Sequence, residues 1–274
     1  MIIARKATKL GQELASRRAG GRPPSVGMVT SRGRLHEGHG AVINAARTVS
    51  DLIVVALIPN PNDTGDNIVS ADQFSDIGFL EQHEVDVLFA PNYTDLFPSA
   101  PEQMFGVASP HSAGPLDVPA ADLTMHLKLI NAVNPDIVVW GERRFLEYFQ
   151  VTQMIEDLGL PTQMQCVPTQ RHADGAAVSA AVDALNPIDR DRAPVLYNTL
   201  RDVVHAIRAG ARSFDKLENT ARLVLRGAGM VVEYFAVLNA DNLAPPTDNS
   251  TSFRVIGRVK LGSVSITDSL GLTL

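Results

Sequence analysis

The chain has 274 residues, of which 45% are hydrophobic, so it can bury a core in one large domain or in a medium and a small one. Its 24 basic and 30 acidic side chains give a net charge of -6, which favours neither nucleic acid nor an anionic membrane surface as a partner. Cys166 is the only cysteine, which excludes an internal disulfide and a cysteine-based zinc cluster. No apolar run matches a membrane span or the core of a secretory signal, so we expect a cytoplasmic protein.

Short apolar runs alternate with helical patterns in the first part of the chain. Runs rich in branched residues predict buried strands over residues 25–29, 52–58, 85–89 and 137–140. Apolar residues at helical spacing predict helices over residues 40–49, 71–84, 122–133 and 145–158. Strands interleaved with such helices predict a doubly wound parallel sheet, with its ligand at the carboxyl ends of the strands.

The pattern changes after about residue 175. An alanine-rich stretch leads into two amphipathic helices over residues 195–208 and 213–227. Two strands over 231–238 and 252–261, with a further short strand over 263–270, complete the chain. We therefore expect a first domain over residues 1–175 and a smaller α+β domain over residues 176–274.

Two histidines stand three residues apart in LHEGHG, which follows the first of these strands and opens a helix. His36 and His39 are thus predicted at a helix amino terminus, where unpaired amides and the helix dipole favour an anion. Imidazoles donate to phosphate oxygens, and Gly38 leaves backbone where a flat ring such as adenine can approach. The pattern predicts a nucleotide triphosphate site. The alternatives are two surface histidines beside a turn, or a metal site, for which no convincing third ligand lies nearby.

Six sequence blocks follow one another along nearly the whole chain: LHEGH, ALIPNPNDTG, EVDVLFAPNYTDLFP, LKLINAVNPDIVVWGERRF, VPTQRHADGAAVS and IGRVKLGSVSITDSL. Together and in this order they resemble the pantothenate synthetase (pantoate:beta-alanine ligase) family. The resemblance implies a Rossmann-like nucleotidyltransferase domain of the HxGH type, a carboxyl-terminal lid domain and a homodimer. It also implies ATP and Mg2+ as cofactors. A small acid and ATP form an acyl adenylate with release of pyrophosphate, and an amine then yields an amide and AMP.

The resemblance assigns residues to the nucleotide. His36 and His39 hold the triphosphate, and His39 is the candidate proton donor. The backbone of Gly38 lies against the adenine, and Gly141 lies under the ribose. Arg143 joins the two histidines in the predicted catalytic set. The other predicted nucleotide-binding residues are Arg32, Gly33, Arg144, Gln170, Val178 and Ser179.

Several positions depart from the family pattern. Arg32 stands where the family has methionine, and Arg143 and Arg144 stand where it has lysine and aspartate. Ala180 and Ala181 replace a serine and an arginine in the phosphate loop of the lid. The arginines either compensate on the phosphates, which suit guanidinium groups, or lie on surface loops.

The predicted acid pocket comprises Arg32, Asn60, Asp63 and Glu147. The two glutamines that embrace the hydroxy acid in the family fall at Asp63 and Glu147, and two ionised carboxylates repel an acid unless a cation stands between them. We therefore expect a substrate that bears an amine, such as an amino acid, with Arg32 on its carboxylate. The alternative is an internal salt bridge between Arg32 or Arg144 and these acids.

Three functions stay open. The first is an ATP-dependent, AMP-forming acid–amine ligase whose partners are small molecules. The second is a nucleotidyltransferase that forms the adenylate without amide ligation. The third is a nucleotide-binding paralogue without turnover, for which the altered phosphate positions are the best support.

Other polar residues have structural explanations. His126, on a helix face, is expected to be structural. Asp72 and Asp76 either face magnesium-bound phosphates or, as acids on an exposed helix, are solvated, and solvation is the commoner outcome.

Overall fold

The computed structural model describes residues 1–19, 23–59, 71–98 and 118–274, with the backbone alone for residues 71–74. The chain packs as two compact units. Among the described residues, the first unit holds those up to 98 together with Val118–Gly141 and Glu147–Val167, and the second holds Glu142–Leu146 and Pro168–Leu274. The predicted domain boundary after residue 175 falls inside the second unit.

The first unit is built on a six-stranded parallel sheet. Its strands are β1 (Ile2–Ala4), β2 (Val26–Ser31), β3 (Leu52–Leu57), β4 (Val87–Phe89), β5 (Ile137–Gly141) and β6 (Gln163–Val167). Its helices are α1 (Ala7–Arg18), α2 (Glu37–Val49), α3 (Ala71–Gln82), α4 (Tyr93–Leu96), α5 (Ala120–Val133) and α6 (Phe145–Asp157), of which α6 begins with two residues of the second unit.

Both faces of this sheet are buried, because alternate strand residues point to opposite sides. Met28 and Val138 share one apolar cluster with residues of α1, α5 and α6, whereas Val29 and Val139 share the other with α2 and α3. The strand order is β1-β4-β3-β2-β5-β6. Since β2 pairs with β3 on one side and β5 on the other, the order reverses at β2 and β5, whose carboxyl ends are the expected ligand position.

The second unit combines helices with an antiparallel sheet. It contains a 3-10 turn (Glu142–Arg144), α7 (Ala180–Asp183), α8 (Pro187–Arg192), α9 (Pro194–Arg208), α10 (Phe214–Gly227), β7 (Val231–Asn239), β8 (Ser252–Leu261) and β9 (Val264–Thr273). The strand order is β7-β8-β9. Leu200 of α9 and Leu225 of α10 are fully buried, in one cluster with Phe253 and Val255 of β8. The apolar faces of the two helices thus form the core with one face of the sheet.

The predicted fold class is confirmed, and each long helix and strand predicted from the sequence is present with small shifts in its ends. The structure adds β1, α1 and β6, together with the short helices α4, α7 and α8. None of the described helices is long and apolar enough to cross a membrane.

Candidate nucleotide-binding site

The loop between β2 and α2 is fixed from below by a buried acid. Gly33 and Arg34 both adopt positive φ, 81° and 52°. The Asp76 carboxylate of α3 accepts hydrogen bonds from the backbone N–H of Arg34 at 2.9 Å and of Leu35 at 2.6 Å. Asp76 is only 3% exposed, so the expectation that it is a solvated helix acid is wrong. Its burial is explained by the two backbone donors that it satisfies.

His36 is the N-cap of α2, in extended backbone with φ -150°. Its Nδ1 accepts a hydrogen bond from the backbone N–H of Gly38 at 3.1 Å. A nitrogen that accepts carries no proton, so the proton of the neutral ring is on Nε2. His36 therefore satisfies an otherwise unpaired amide of the helix with Nδ1, and its Nε2 is a donor.

His39 lies in the first turn of α2, beside His36 and the end of β2. Its Nε2 lies 3.1 Å from Ser31 Oγ, and the rings of the two histidines are 4.1 Å apart between centroids. Ser31 is 4% exposed, and its Oγ accepts from the backbone N–H of Gly33 at 3.2 Å. The last residue of β2 thus connects the loop to the His39 ring and limits the orientation of that ring.

Gly141 ends β5, the neighbour of β2. A Cβ atom built on Gly141 would meet only Val42 Cγ2, at 3.6 Å, which is an ordinary van der Waals distance. The protein itself therefore leaves room for a methyl group there. This fits the prediction that a ligand is what approaches the backbone of Gly141.

Arg32, predicted for both the nucleotide and the acid pocket, has an acidic partner. Its Nη2 donates to Asp122 Oδ1 at 2.6 Å, and the two side chains are 46% and 28% exposed. Asp122 lies in the first turn of α5 and was not among the predicted partners of Arg32. Glu147 lies in the first turn of α6 and is partly buried. Asn60 and Asp63 lie outside the described residues.

The remaining predicted residues belong to the second unit. Arg143 and Arg144 lie in the 3-10 turn. Gln170 and Val178 face each other across a narrow loop, where the backbone N–H of Val178 donates to the carbonyl of Gln170 at 2.9 Å. Ser179 is 2% exposed, and its Oγ accepts from the backbone N–H of Val182 at 3.2 Å.

A buried ion pair holds that loop to β9. Arg171 donates to both carboxylate oxygens of Asp268, at 2.6 and 3.1 Å, and lies 3.9 Å over the ring of Tyr197. It also donates to the carbonyl of Gly175 at 3.2 Å. Burial raises the pKa of the Asp268 carboxyl above its ordinary value, while the charges of Arg171 and then Arg143 act in the opposite direction.

The predicted site residues fall into two groups. Arg32, Gly33, His36, Gly38, His39 and Gly141 lie at the carboxyl ends of β2 and β5, and the other described ones lie in the second unit, apart from Glu147 at the start of α6. Their roles stay predictions. Ser31 and Asp268 were not predicted from the sequence, and Asp76 was expected to be solvated. The position of Ser31 at the end of a predicted strand was a usable signal, whereas the other two have partners far away in sequence.

Magnesium has no ready-made ligand cage in the described ranges, which contain no group of three His, Cys, Asp or Glu residues placed to hold a metal ion. Both carboxylate oxygens of Asp76 are engaged by backbone N–H groups. Magnesium commonly depends on substrate phosphates for part of its coordination, so the ion is expected to arrive with the nucleotide.

An open parallel sheet with histidines after its central strand defines the class, a nucleotidyltransferase-like α/β fold. The model of the family described as Pantoate-beta-alanine ligase matches residues 2–271. The chain therefore belongs to the pantoate–beta-alanine ligase family, and this membership identifies it as an ATP-dependent ligase.

Several relatives match along nearly their whole length. The pantothenate synthetase of Pseudomonas putida is 31% identical over 274 residues, covering 94% of this chain and 93% of its own. A crystal structure of the Thermus thermophilus enzyme gives a TM-score of 0.85 at 27% identity, over 98% of this chain and 99% of that one. The Francisella tularensis ligase, solved in complex with beta-gamma ATP and beta-alanine, shares the fold with a TM-score of 0.71 at 22% identity, over 98% of this chain and 97% of that one.

Proposed function

We propose that the protein activates a small carboxylic acid with ATP as an acyl adenylate and then joins it to an amine, releasing AMP. The observation that carries the proposal is the histidine pair at the amino terminus of α2. His36 caps the helix through Nδ1, so its neutral ring carries the proton on Nε2, and His39 lies 4.1 Å away between ring centroids. Two imidazoles at a positive helix end suit a triphosphate.

The chemistry requires stabilisation of charge on the leaving group. A carboxylate oxygen attacks the α-phosphorus of ATP, the bond to the bridging oxygen breaks, and pyrophosphate leaves. The amine then attacks the acyl carbon, AMP leaves, and the nitrogen loses a proton. His36, His39 and Arg143 would donate to the oxygens on which charge grows. Magnesium, when bound, neutralises phosphate charge.

The acid substrate is proposed to carry an amine. Asp63 and Glu147 occupy the positions of the two family glutamines, and two carboxylates recruit an ammonium group rather than a second acid. Arg32 Nη2 donates to Asp122 at 2.6 Å in an exposed ion pair. A substrate carboxylate that binds Arg32 must therefore either replace Asp122 as its partner or bind beside it. Pantoate, which has no amine, is then a poor substrate.

Pyrophosphate release tests the activity. Wild type is expected to release pyrophosphate from ATP and magnesium with at least one acid from a panel of pantoate and amino acids. The kcat of His39→Ala is expected to be lower by about 100-fold or more, because this variant lacks a donor to the leaving group. His205→Ala, at an exposed histidine of α9, is the matched control and should retain wild-type rates. A protein that binds ATP but releases no pyrophosphate with any acid of the panel would contradict the proposal and support a non-catalytic paralogue.

The choice of acid is tested at Glu147. Glu147→Gln restores the neutral amide and is expected to raise kcat/KM for pantoate while lowering it for an amino acid, because the pocket loses a negative charge. Glu156→Gln, an exposed acid of the same helix, is the control. Tight binding of pantoate to wild type in the presence of an ATP analogue would contradict the altered substrate.

The second half-reaction and the assembly have their own measurements. Formation of AMP that depends on an added amine distinguishes a ligase from an enzyme that stops at the adenylate.

The resemblance also supports a homodimer, which light scattering of the purified protein tests directly.

A further inference from the structure

One arginine of the second unit occupies a slot shaped for its guanidinium group. Arg254 of β8 donates from Nη1 to Glu142 Oε1 at 2.5 Å, and its Cζ lies 3.7 Å over the ring of Phe145. A Cβ atom built on Gly271, its cross-strand neighbour, would lie 2.9 to 3.2 Å from the guanidinium atoms. The slot thus accepts a flat cation between a ring and a bare strand backbone.

The same 3-10 turn has a second attachment, to β9. Ser269 Oγ donates to the carbonyl oxygen of Glu142 at 2.6 Å, and Ser269 is 1% exposed. In the register of β8 and β9, Arg254 pairs with Gly271 and Ile256 pairs with Ser269, so Arg254 and Ser269 point to the same face of the sheet. Glu142 is therefore held by both its side chain and its backbone.

The pair is well shielded from water. The side chains of Arg254 and Glu142 are only 12% and 18% exposed, whereas those of Arg258 on β8 and Glu233 on β7, a second ion pair, are 48% and 33% exposed. Removing one partner of a shielded pair leaves an uncompensated charge, while removing a partner of an exposed pair costs little. The two arginines of β8 thus form a natural contrast.

The held turn contains Arg143, the predicted phosphate contact of this unit. Arg143 follows Glu142 directly in the 3-10 helix, and Phe145, whose ring contacts Arg254, is 6% exposed just after the turn. Fixing Glu142 and Phe145 therefore restricts the backbone from which the Arg143 side chain extends. Displacements of about 1 Å in such a group are enough to lower rates about 100-fold.

We propose that Arg254 is a positioning residue, which holds the Glu142–Arg144 turn so that Arg143 reaches the nucleotide. The proposal rests on the proposed ATP-dependent function for its second half. Its first half, the hold on the turn, concerns the fold of the second unit alone.

The test compares Arg254→Gln with wild type in the full-length protein. The expected result is a fall of about 10- to 100-fold in kcat/KM for ATP, measured by pyrophosphate release. Amide hydrogen exchange, followed by mass spectrometry, should become faster at residues 142–146 while the buried helix α9 keeps its protection. General destabilisation of the unit would instead accelerate exchange in both segments.

Two further variants complete the comparison. Gly271→Ala retains both charges but crowds the guanidinium group, so it should reproduce part of both effects, including in a case where Arg254→Gln fails to fold. Arg258→Gln, the matched control on the same strand, should leave both measurements unchanged.

The two proposals fail in different ways. Absence of pyrophosphate release from wild type contradicts the proposed function, and exchange at residues 142–146 then decides alone whether Arg254 holds the turn. Unchanged exchange there in Arg254→Gln and Gly271→Ala overturns the positioning role, as does unchanged kcat/KM for ATP in an active enzyme.

Discussion

Glycines that look alike in the sequence are required for different reasons in the structure. Gly27 of β2 lies against Ser50, and a Cβ built there would be 2.2 Å from Ser50 Oγ. Gly141 of β5 has room for the same atom, with Val42 at 3.6 Å. Gly27 is thus required by the folded chain itself, while a requirement for glycine at 141 arises only when a ligand is bound.

Gly141→Ala is accordingly expected to change the free energy of unfolding by less than about 0.5 kcal/mol while weakening ATP binding about tenfold or more. Urea unfolding and calorimetric titration with an ATP analogue measure the two quantities. Gly27→Ala is the comparison, since overpacking against Ser50 should cost about 1 to 3 kcal/mol whether or not nucleotide is present. Equal ATP affinity in Gly141→Ala and wild type would remove Gly141 from the site.

The histidine pair was predictable because its information is local. His36, Gly38 and the helix that follows lie within a few residues of each other, so the strand, loop and helix pattern was enough to place them at a helix terminus. Asp76 and Asp122 act on the same loop region from 41 or more residues away. No sequence periodicity links positions so far apart. Asp76 was therefore expected to be solvated, and Asp122 was not predicted as a partner of Arg32.

At the scale of elements, α3 supports the β2–α2 loop through one carboxylate. Asp76→Asn is expected to lower the free energy of unfolding by about 1 to 3 kcal/mol, because an amide has one acceptor oxygen for the two N–H groups of Arg34 and Leu35. Chemical denaturation measures the change. Asp157→Asn, at an exposed acid of α6, serves as the control. A loss no larger than that of the control would mean that the loop holds its positive φ angles without Asp76.

Helix α8 is tied to the 171–177 loop by an exposed ion pair. Arg190 donates to Asp174 Oδ2 at 2.7 Å, and this hydrogen bond is the main cause that lowers the pKa of Asp174 from its ordinary value of 3.8. An acid whose pKa is lowered in the folded state stabilises that state at pH values above 3.8. This stabilisation is lost as the pH falls through the pKa of Asp174 in the folded state.

Asp174→Asn should therefore destabilise the protein by less than about 1 kcal/mol near neutral pH, since the pair is exposed, and the difference from wild type should shrink below pH 3.8 and vanish once the pH is below the folded-state pKa. Urea unfolding over a pH series measures it, and Arg190→Gln should show the same pH dependence. A difference that persists at the lowest pH would assign the effect to packing instead.

The long elements were predictable and the missing ones have physical reasons. Strands β2 to β5 are buried on both sides and are therefore almost wholly apolar. The edge strand β6 reads QMQCV and is only partly buried, so it lacks that signature. Strand β1 has three residues, and α1 buries only Leu10 and Leu14 among many charged neighbours.

At the scale of the whole molecule, one five-residue segment packs with a different unit from its neighbours in the sequence. Glu142–Leu146 belong to the second unit, although they lie between segments of the first. Their partners, Arg254 and Ser269, come more than 100 residues later. A division read along the sequence assigns each position once, so it places these residues in the first domain.

Splitting the chain after residue 167 should consequently yield halves that fold poorly by themselves. The carboxyl-terminal half loses Phe145, which is 6% exposed, and the partner of Arg254. Co-expressed halves are expected to copurify, and Arg254→Gln should reduce their yield more than Arg258→Gln. A carboxyl-terminal half that is soluble alone, with a cooperative unfolding transition, would contradict this expectation.

Strand β9 carries two attachments that differ in how they respond to substitutions and to changes in strand length. Its consecutive residues Asp268 and Ser269 point to opposite faces, one to Arg171 and the other to Glu142. Replacing either one affects one attachment. Inserting or deleting a single residue in β9 exchanges the two faces and removes both attachments together. The second unit is therefore expected to tolerate a single substitution in β9 better than a change in the length of the strand.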